Sequence, residues 1–236
     1  MRVRRLHGWK LSIHQAMALQ TRLAARVRER PLAGRARLVA GVDCGYSRRQ
    51  DRLYAAVVLC RLPARTPRRP EEVETMEEHL LVRKPRMPYV PGLLSFREAP
   101  PVLACFAQLR RRPDAVLVDG HGRAHPRRLG IACHLGLFLE VPTIGCAKSI
   151  LVGAHRAPGS KRGSRAALVH GGETVGLALR TRDGVRPAYV SVGHLVDLEG
   201  AARLVLSATA GFRLPEPARR AHHLATMARI AGERKP

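Results

Sequence analysis

The chain has 236 residues, of which 42 are Lys or Arg and 18 are Asp or Glu, so its net charge at pH 7 is +24. This length can bury a sizeable core in one domain, and no apolar run approaches the roughly 18 residues that a membrane span needs. The five cysteines show no C-x-x-C spacing, which argues against a zinc ribbon or a disulfide framework and favours a reducing, cytoplasmic location. The charge favours a polyanionic partner, most simply nucleic acid, although an arginine-rich composition shared by a whole lineage would also explain the excess.

The first third of the chain predicts one helix and three strands. Apolar residues at near-helical spacing indicate an amphipathic helix over residues 13–28, and a proline-containing break follows at 31–35. Residues 38–42 predict a strand that ends at Asp43, and a short polar hairpin joins it to a second strand over 53–62. A basic, proline-rich loop at 65–70 leads to a third strand over 73–82, near the edge of the sheet.

The middle third alternates helices and strands. A stiff turn at 88–92 precedes a helix over 93–109, in which Pro100 and Pro101 should start a new segment or cause a kink. Residues 116–118 predict a buried strand with Asp119 at its carboxyl end, where ligands gather in α/β sheets. A helix over about 129–140 and a strand over 143–147 that reaches Lys148 come next.

The last third begins with a basic loop at about 154–165, rich in Pro, Gly and Ser, which we expect to be flexible. Strands over 174–180 and 188–192 follow, with Asp183-Gly184 as the hairpin turn between them. Helices over 197–208, with Asp197 as N-cap, and over 217–231 end the chain.

This succession predicts a single domain over residues 1–236, with its core at about 13–231. Three antiparallel strands before a parallel portion indicate an α/β mixed sheet flanked by helices. The order suits the ribonuclease-H-like arrangement, in which the first and fourth strands lie side by side and parallel. Asp43 and Asp119 would then emerge at neighbouring strand ends, where two carboxylates repel unless a cation lies between them. Such oxygen ligands suit magnesium or manganese.

Five stretches of the sequence resemble the endonuclease V family, over a span from about Gln15 to Ile230. They are Gly41-Val42-Asp43, residues 88–98 (PYVPGLLSFRE), residues 119–127 (DGHGRAHPR), residues 141–148 (VPTIGCAK), and residues 213–217 (RLPEP) with Ala218 to His222 behind them. The second and third stretches are long and unusual, so the match is specific. His121, Ala218 and Arg220 depart from the residues that we expect at those positions of the family.

The resemblance implies a ribonuclease-H-like, magnesium-dependent DNA repair endonuclease, for which manganese is a plausible substitute. The family recognises deoxyinosine in single- or double-stranded DNA and hydrolyses the second phosphodiester bond on its 3′ side. It leaves a 3′-hydroxyl and a 5′-phosphate and does not remove the base. Two alternatives stay open at this point: an inosine-directed ribonuclease of the same fold, and a non-catalytic nucleic-acid-binding relative. We expect a monomer without a membrane partner.

The resemblance also implies roles for individual residues. Asp43, Asp119 and Glu98 match the metal-binding carboxylates, and the catalytic set is completed by His222, Lys148 and His125. Tyr89 matches a wedge that fills the gap left by a flipped base, held by Pro88 and Pro91, while Gly92 shapes the pocket for hypoxanthine. Outside the motif each residue has an ordinary alternative. Glu98 would be a partner of Arg97 or of another surface base, and Tyr89 would pack on a helix. Lys148 would be solvated at a strand end, and His222 would be a core or half-exposed histidine.

Overall fold

The computed structural model describes residues 1–234, in which eight strands form one mixed sheet with helices on both faces. In chain order the elements are α1 (Ile13–Ala24), β1 (Leu38–Ser47), β2 (Arg52–Arg61), β3 (Glu74–Arg83), α2 (Leu94–Gln108), β4 (Ala115–Val118), α3 (Ile131–Leu139), β5 (Thr143–Ala147), β6 (Arg165–His170), β7 (Glu173–Leu179), β8 (Ala188–His194), α4 (Leu198–Ser207) and α5 (Glu216–Glu233). Within these residues no helix has the length and apolar character needed to span a bilayer.

The strands lie in the order β3-β2-β1-β4-β5-β8-β7-β6. β1 is antiparallel to β2 and parallel to β4, and β4 is parallel to β5, whereas the pairings from β5 through β8 and β7 to β6 are antiparallel. The predicted mixed sheet flanked by helices is therefore confirmed, with its first and fourth strands adjacent and parallel and its third strand at an edge.

The core has one layer on each face of the sheet. On β1, Val39 packs in the cluster with α4 and α5, while Ala40 and Val42 pack in the cluster with α2 and α3. This alternation follows the two-residue period of a strand. β2 is buried at every residue between its two terminal arginines, which explains its continuous apolar run as that of a strand covered on both sides.

Two element boundaries differ from the prediction. α1 begins with a capping box between Ser12 and Gln15 and ends at Ala24, short of residue 28. Beyond the helix the Arg28 amide donates to the Nδ1 atom of the buried His194, 3.2 Å away, which ties this segment to β8. β1 continues to Ser47 along its antiparallel partner, so that Asp43 lies inside the strand rather than at its end.

The expected new segment at Pro100 and Pro101 is wrong, because α2 runs through both prolines. The two prolines leave the carbonyls of Phe96 and Arg97 without their intrahelical donors. Tertiary packing outweighs this loss, since Phe96, Val102 and Phe106 of the same helix are each at most 1% exposed.

Strand β6 is absent from the predicted elements. The predicted two-residue hairpin turn at Asp183-Gly184 is instead a longer loop. β6 buries only Leu168 and carries small or polar residues elsewhere, so its pattern is weak. The two-residue turn Gly171-Gly172, with positive φ at both glycines, was nevertheless a hairpin signal in the sequence. β7 and β8 are antiparallel neighbours, but residues 180–187 form a loop between them in which the Asp183 carboxylate accepts from the Arg162 amide at 2.6 Å.

Candidate metal and nucleic-acid site

Strand register brings the two predicted aspartates together. Val42 of β1 lies beside Val118 of β4, so the next residue of each chain segment, Asp43 and Asp119, emerges at the same level of the sheet. Among residues 1–234, one group of potential metal ligands combines these two carboxylates with His222. One ligand atom from each of the three residues lies within 4.8 Å of the others.

Helix α5 delivers His222 because it approaches β1 closely. A Cβ atom on Gly41 would lie 1.9 Å from the Pro217 carbonyl oxygen, so only glycine fits beneath the first turn of α5. The His222 Nδ1 atom then lies 2.6 Å from an Asp43 carboxylate oxygen. Its side chain is 48% exposed, so His222 is half-exposed and does not lie in the core.

The residues that depart from the family pattern around His222 have structural reasons. Ala218 is fully buried against β1, where its amide nitrogen would lie 2.5 Å from a Cβ on Gly41. Arg220 donates to Glu216 at 2.9 Å and to the Pro70 carbonyl at 2.8 Å, which ties the first turn of α5 to the loop before β3. Neither change removes the contact between His222 and Asp43.

The electrostatics of the group call for a cation. Burial raises the pKa of Asp119, and the charge of Asp43 raises it further, while the Lys148 ammonium 2.5 Å away opposes the shift. Burial also raises the pKa of Glu98 to about 8, and repulsion from Asp43 and Asp119 adds to the effect. Glu98 is outside the three-residue ligand group, but it is close enough to Asp43 and Asp119 for their negative charges to raise its pKa.

This donor set fits a divalent metal ion. The two carboxylates supply the hard oxygen ligands that magnesium and manganese prefer, and the His222 imidazole lies within reach as a third donor. Arg97 forms no ion pair with Glu98 among residues 1–234, because its guanidinium donates to the Met87 carbonyl and stacks over Tyr46. The surface-partner alternative for Glu98 is therefore wrong.

Beside the carboxylates lies a cavity of about 260 Å³. Its lining includes Gly120 and His121, which directly follow Asp119, together with Tyr89, Pro91 and Gly92. Burial lowers the pKa of His121 to about 4, so its ring is neutral at pH 7. The buried Nδ1 atom of that ring has no hydrogen-bond partner within residues 1–234.

Tyr89 stands at the rim of this cavity with 67% of its surface exposed. It therefore does not pack in a core, and its ring is free to meet a ligand. Pro88, its neighbour, is also exposed and is outside the cavity wall, whereas Pro91 and Gly92 belong to it.

The turn that carries Tyr89 is anchored through the Gly92 carbonyl. Three side chains donate to this one oxygen: His125 Nε2 at 3.0 Å, Gln20 Nε2 at 3.0 Å and Arg127 Nη2 at 2.9 Å. The Arg127 amide donates to His125 Nδ1, so the proton of this neutral ring is on Nε2. Both nitrogens of His125 are thus engaged within the fold, which favours a positioning role over the catalytic one predicted for it.

Sequence reasoning missed Gln20, which is only 1% exposed. Besides Gly92, its amide nitrogen donates to the Leu129 carbonyl at 2.7 Å, and its oxygen accepts from Arg127 Nε at 2.5 Å. Gln20 thereby joins α1, the Tyr89 turn and the turn before α3. A signal existed, because Gln20 occupies a helical position in line with Ala16 and Leu23 on the buried face of α1.

Comparison with known proteins agrees with this geometry. Residues 21–223 match the family model described as Endonuclease V. The chain is 48% identical over 224 residues to an endonuclease V of Roseiflexus castenholzii, covering 95% of this chain and 96% of the relative. The crystal structure of endonuclease V from Streptomyces avermitilis has a TM-score of 0.85 and 40% identity, with 99% and 100% of the two chains covered.

A more distant relative shares the fold. Endonuclease V of Ciona intestinalis, in complex with a 23mer DNA containing an inosine followed by a ribo-adenosine, has a TM-score of 0.77 at 23% identity, with 94% of this chain and 99% of that chain covered. The family model spans most of the described residues, and the carboxylate pair and exposed tyrosine lie within that span. Because the family model matches most of the chain and a known member is 48% identical over nearly its full length, the chain belongs to the endonuclease V family.

Proposed function

We propose that this protein is a magnesium-dependent endonuclease that recognises deoxyinosine in DNA and hydrolyses the second phosphodiester bond on its 3′ side. The observation that carries the proposal is the juxtaposition of the Asp43–Asp119–His222 group with a base-sized cavity whose rim bears the exposed Tyr89. The Ciona relative, whose structure holds inosine-containing DNA, supports the substrate class. The same juxtaposition argues against a non-catalytic relative, which would need no clustered carboxylates.

The chemistry requires a nucleophile and charge stabilisation at the phosphate. A bound divalent ion would lower the pKa of an attacking water and neutralise charge on the scissile phosphate. Asp43 and Asp119 would hold this ion, and His222, bonded to Asp43, would keep that carboxylate oriented. The Lys148 ammonium forms an ion pair with Asp119, and from this position it would stabilise the charge that develops on the phosphate oxygens.

Hydrolysis breaks the bond between phosphorus and the 3′-oxygen, while the water oxygen forms the new bond to phosphorus. The products are a 3′-hydroxyl and a 5′-phosphate, so the departing oxygen must gain a proton. The half-exposed His222 is the candidate donor, since its ring lies at the carboxylate group and reaches solvent.

Recognition would use the cavity and the Tyr89 turn. Extruding a base costs a few kcal/mol, and stacking on the gap-filling tyrosine would offset about 1–3 kcal/mol of that cost. His121, whose ring is neutral, lines the cavity and would contact the base there. The hydrogen bonds from Gln20 and His125 to the Gly92 carbonyl would hold the Tyr89 turn in place at the cavity.

The test is to incubate the protein and magnesium with matched DNA and RNA strands, each carrying one inosine or none, and to map the cut. We expect cutting of inosine DNA at the second phosphodiester 3′ to the lesion. Asp119→Asn should retain no more than a few per cent of this activity while still binding, because it loses a metal ligand but none of the basic surface. Asp51→Asn is the matched control, because Asp51 lies in the β1–β2 turn and its carboxylate contacts Tyr46 and Lys84 instead of the proposed metal ligands.

Three results would overturn parts of the proposal. Preferential cutting of inosine RNA would replace the substrate with RNA. Binding without cutting of either strand would establish the non-catalytic alternative. Full activity in Asp119→Asn would remove the metal assignment.

A further inference from the structure

A second concave surface, separate from the Tyr89 cavity, lies between four loops. Its volume is about 660 Å³. Arginines from three of these loops line it, and two threonines lie beneath them: Arg65, Arg68, Arg162, Arg182, Thr181 and Thr209. We refer to this surface as the arginine cleft.

Two of its arginines have no partner among residues 1–234. The guanidinium groups of Arg68 and Arg182 form no ion pair and no hydrogen bond there, and both residues are exposed. Arg65 has a single partner, Glu72, at 3.6 Å, and its side chain is 79% exposed. The positive charge of the cleft is therefore largely unneutralised by the protein.

Four other polar residues of the cleft are engaged within the fold: Arg162, Asp183, Thr181 and Thr209. Arg162 Nη2 donates to the Leu206 carbonyl at 2.7 Å, which holds one guanidinium in place. The acidic Asp183 accepts from the Arg162 amide at 2.6 Å and lies 3.8 Å from Lys161. The hydroxyls of Thr181 and Thr209 donate to backbone carbonyls within the fold.

A three-residue segment connects the cleft to the catalytic centre. Gly211 lines the cleft, and two residues later Arg213 donates to the Lys148 carbonyl at 2.5 Å. Lys148 itself pairs with Asp119. Between them Phe212 is 44% exposed, with the Arg219 guanidinium 4.6 Å from its ring centre. The chain between the cleft and Arg213 thus carries a partly exposed aromatic side chain.

We propose that the arginine cleft binds the sugar-phosphate backbone of the substrate DNA strand beside the cut site, which rests on the proposed function. Guanidinium groups match phosphate oxygens in bidentate geometry and stay charged at any physiological pH. Unpaired cations in a concave surface attract a polyanion more strongly than the same cations on a flat one. Phe212 offers a stacking face for a base on the way from one site to the other.

A basic composition throughout the chain is the competing explanation. Many other arginines are already committed, such as Arg4 and Arg28 on Glu140, or Arg219 and Arg220 on Glu216. Arg68 and Arg182 differ from these because they come from separate loops and converge, unpaired, on one cleft. Composition alone predicts no special effect from their removal.

The test compares the double variant Arg68→Gln/Arg182→Gln with Arg110→Gln/Arg111→Gln. The control pair is exposed and precedes β4, whose opposite end leads to Asp119. Binding to an undamaged 30-base-pair duplex and to the same duplex with one inosine is measured with calcium replacing magnesium, at several salt concentrations. The cleft variant should flatten the slope of log affinity against log salt by roughly 1.8, at about 0.9 for each phosphate that the variant no longer neutralises.

Substrates shortened on one side of the inosine separate the cleft from the catalytic centre. The wild type should lose affinity when one of the two flanks is removed, and the cleft variant should lose much less from the same truncation. An unchanged salt slope, or equal truncation losses in both proteins, would overturn the proposal. Because the salt slope on undamaged duplex needs no cutting, failure of the cleft is distinguishable from failure of the proposed function.

Discussion

At the scale of single residues, the crowding of Asp43, Asp119 and Glu98 is the dominant feature. Without metal the pKa of Glu98 is about 8, against an ordinary value of 4.5, because burial and the neighbouring carboxylates disfavour its charge. The folded state holds this proton up to about pH 8, whereas the unfolded chain releases it near pH 4.5. The stability that Glu98 contributes therefore falls as pH rises through this interval.

The prediction concerns the unfolding free energy of the metal-free protein between about pH 7 and pH 8.5. The wild type should lose about 1 kcal/mol or less relative to Glu98→Gln over this range, because the amide has no proton to release. This range avoids the titration of the buried His121 and His125. Their pKa values are about 4 in the folded protein and 6.5 ordinarily, so they make stability rise with pH only between these two values. Urea denaturation at each pH measures the effect.

Magnesium should flatten the wild-type curve, because a cation among the carboxylates replaces the proton. Glu29→Gln is a suitable control, since Glu29 pairs with Arg123 on the surface. A pH dependence that is the same in wild type and Glu98→Gln would show that Glu98 is ionised in the folded protein.

Tyr89 is the second residue with a sharp expectation. Tyr89→Ala should weaken the preference for inosine over normal bases by roughly tenfold or more, because stacking worth about 1–3 kcal/mol is removed. Tyr89→Phe should be close to neutral, since the ring face does the stacking. Binding to inosine and control duplexes with calcium in place of magnesium measures the preference without cutting, and unchanged discrimination in the Ala variant would contradict the wedge.

At the scale of elements, the packing of α5 against β1 determines whether His222 reaches Asp43. Gly41→Ala should destabilise the protein by roughly 1–3 kcal/mol and reduce cutting, because its Cβ would lie 1.9 Å from the Pro217 carbonyl oxygen and displace α5. Urea denaturation and cleavage assays measure the two effects.

Gly45→Ala is the matched control on the same strand and against the same helix. The nearest atom to its Cβ would be the Ala225 carbonyl oxygen at 3.5 Å, which is an ordinary contact, so we expect a change within about 0.5 kcal/mol. Equal effects of the two substitutions would show that α5 does not depend on the glycine at position 41.

At the scale of the whole molecule, the charge of +24 should make binding steeply dependent on salt even for undamaged duplex. Each neutralised phosphate contributes roughly −0.9 to the slope of log affinity against log salt, so about six to ten neutralised phosphates correspond to a loss of about 10³–10⁵ between roughly 50 and 200 mM salt. Fluorescence anisotropy titrations over that range measure the slope. A nearly flat slope would mean that the excess charge is compositional and is not used on nucleic acid.

Local patterns in the sequence were sufficient for much of the architecture. The apolar runs of β1, β2 and β4 predicted a central sheet, and the order of elements predicted that Asp43 and Asp119 would be neighbours. They are neighbours because β1 and β4 are parallel and in register, although Asp43 lies within β1 and Asp119 just beyond β4. The prolines around Tyr89 indicated an aromatic at a loop tip, and its side chain is 67% exposed, while its role as a wedge stays a prediction. Such predictions succeed where residues close in sequence determine the outcome.

Contacts between distant residues were decided only by the tertiary structure. His222 meets Asp43 across 179 positions of the chain, and Gln20 meets Gly92 across 72. The proton of His125 is on Nε2 because of its partners Gly92 and Arg127, which no spacing in the sequence indicates. α2 continues through two prolines, and β6 forms with one buried side chain, because packing against neighbouring elements outweighs local propensity. The sequence by itself determined which strands carry the acidic residues, and the packing of α1 and α5 decided which side chains complete the site around them.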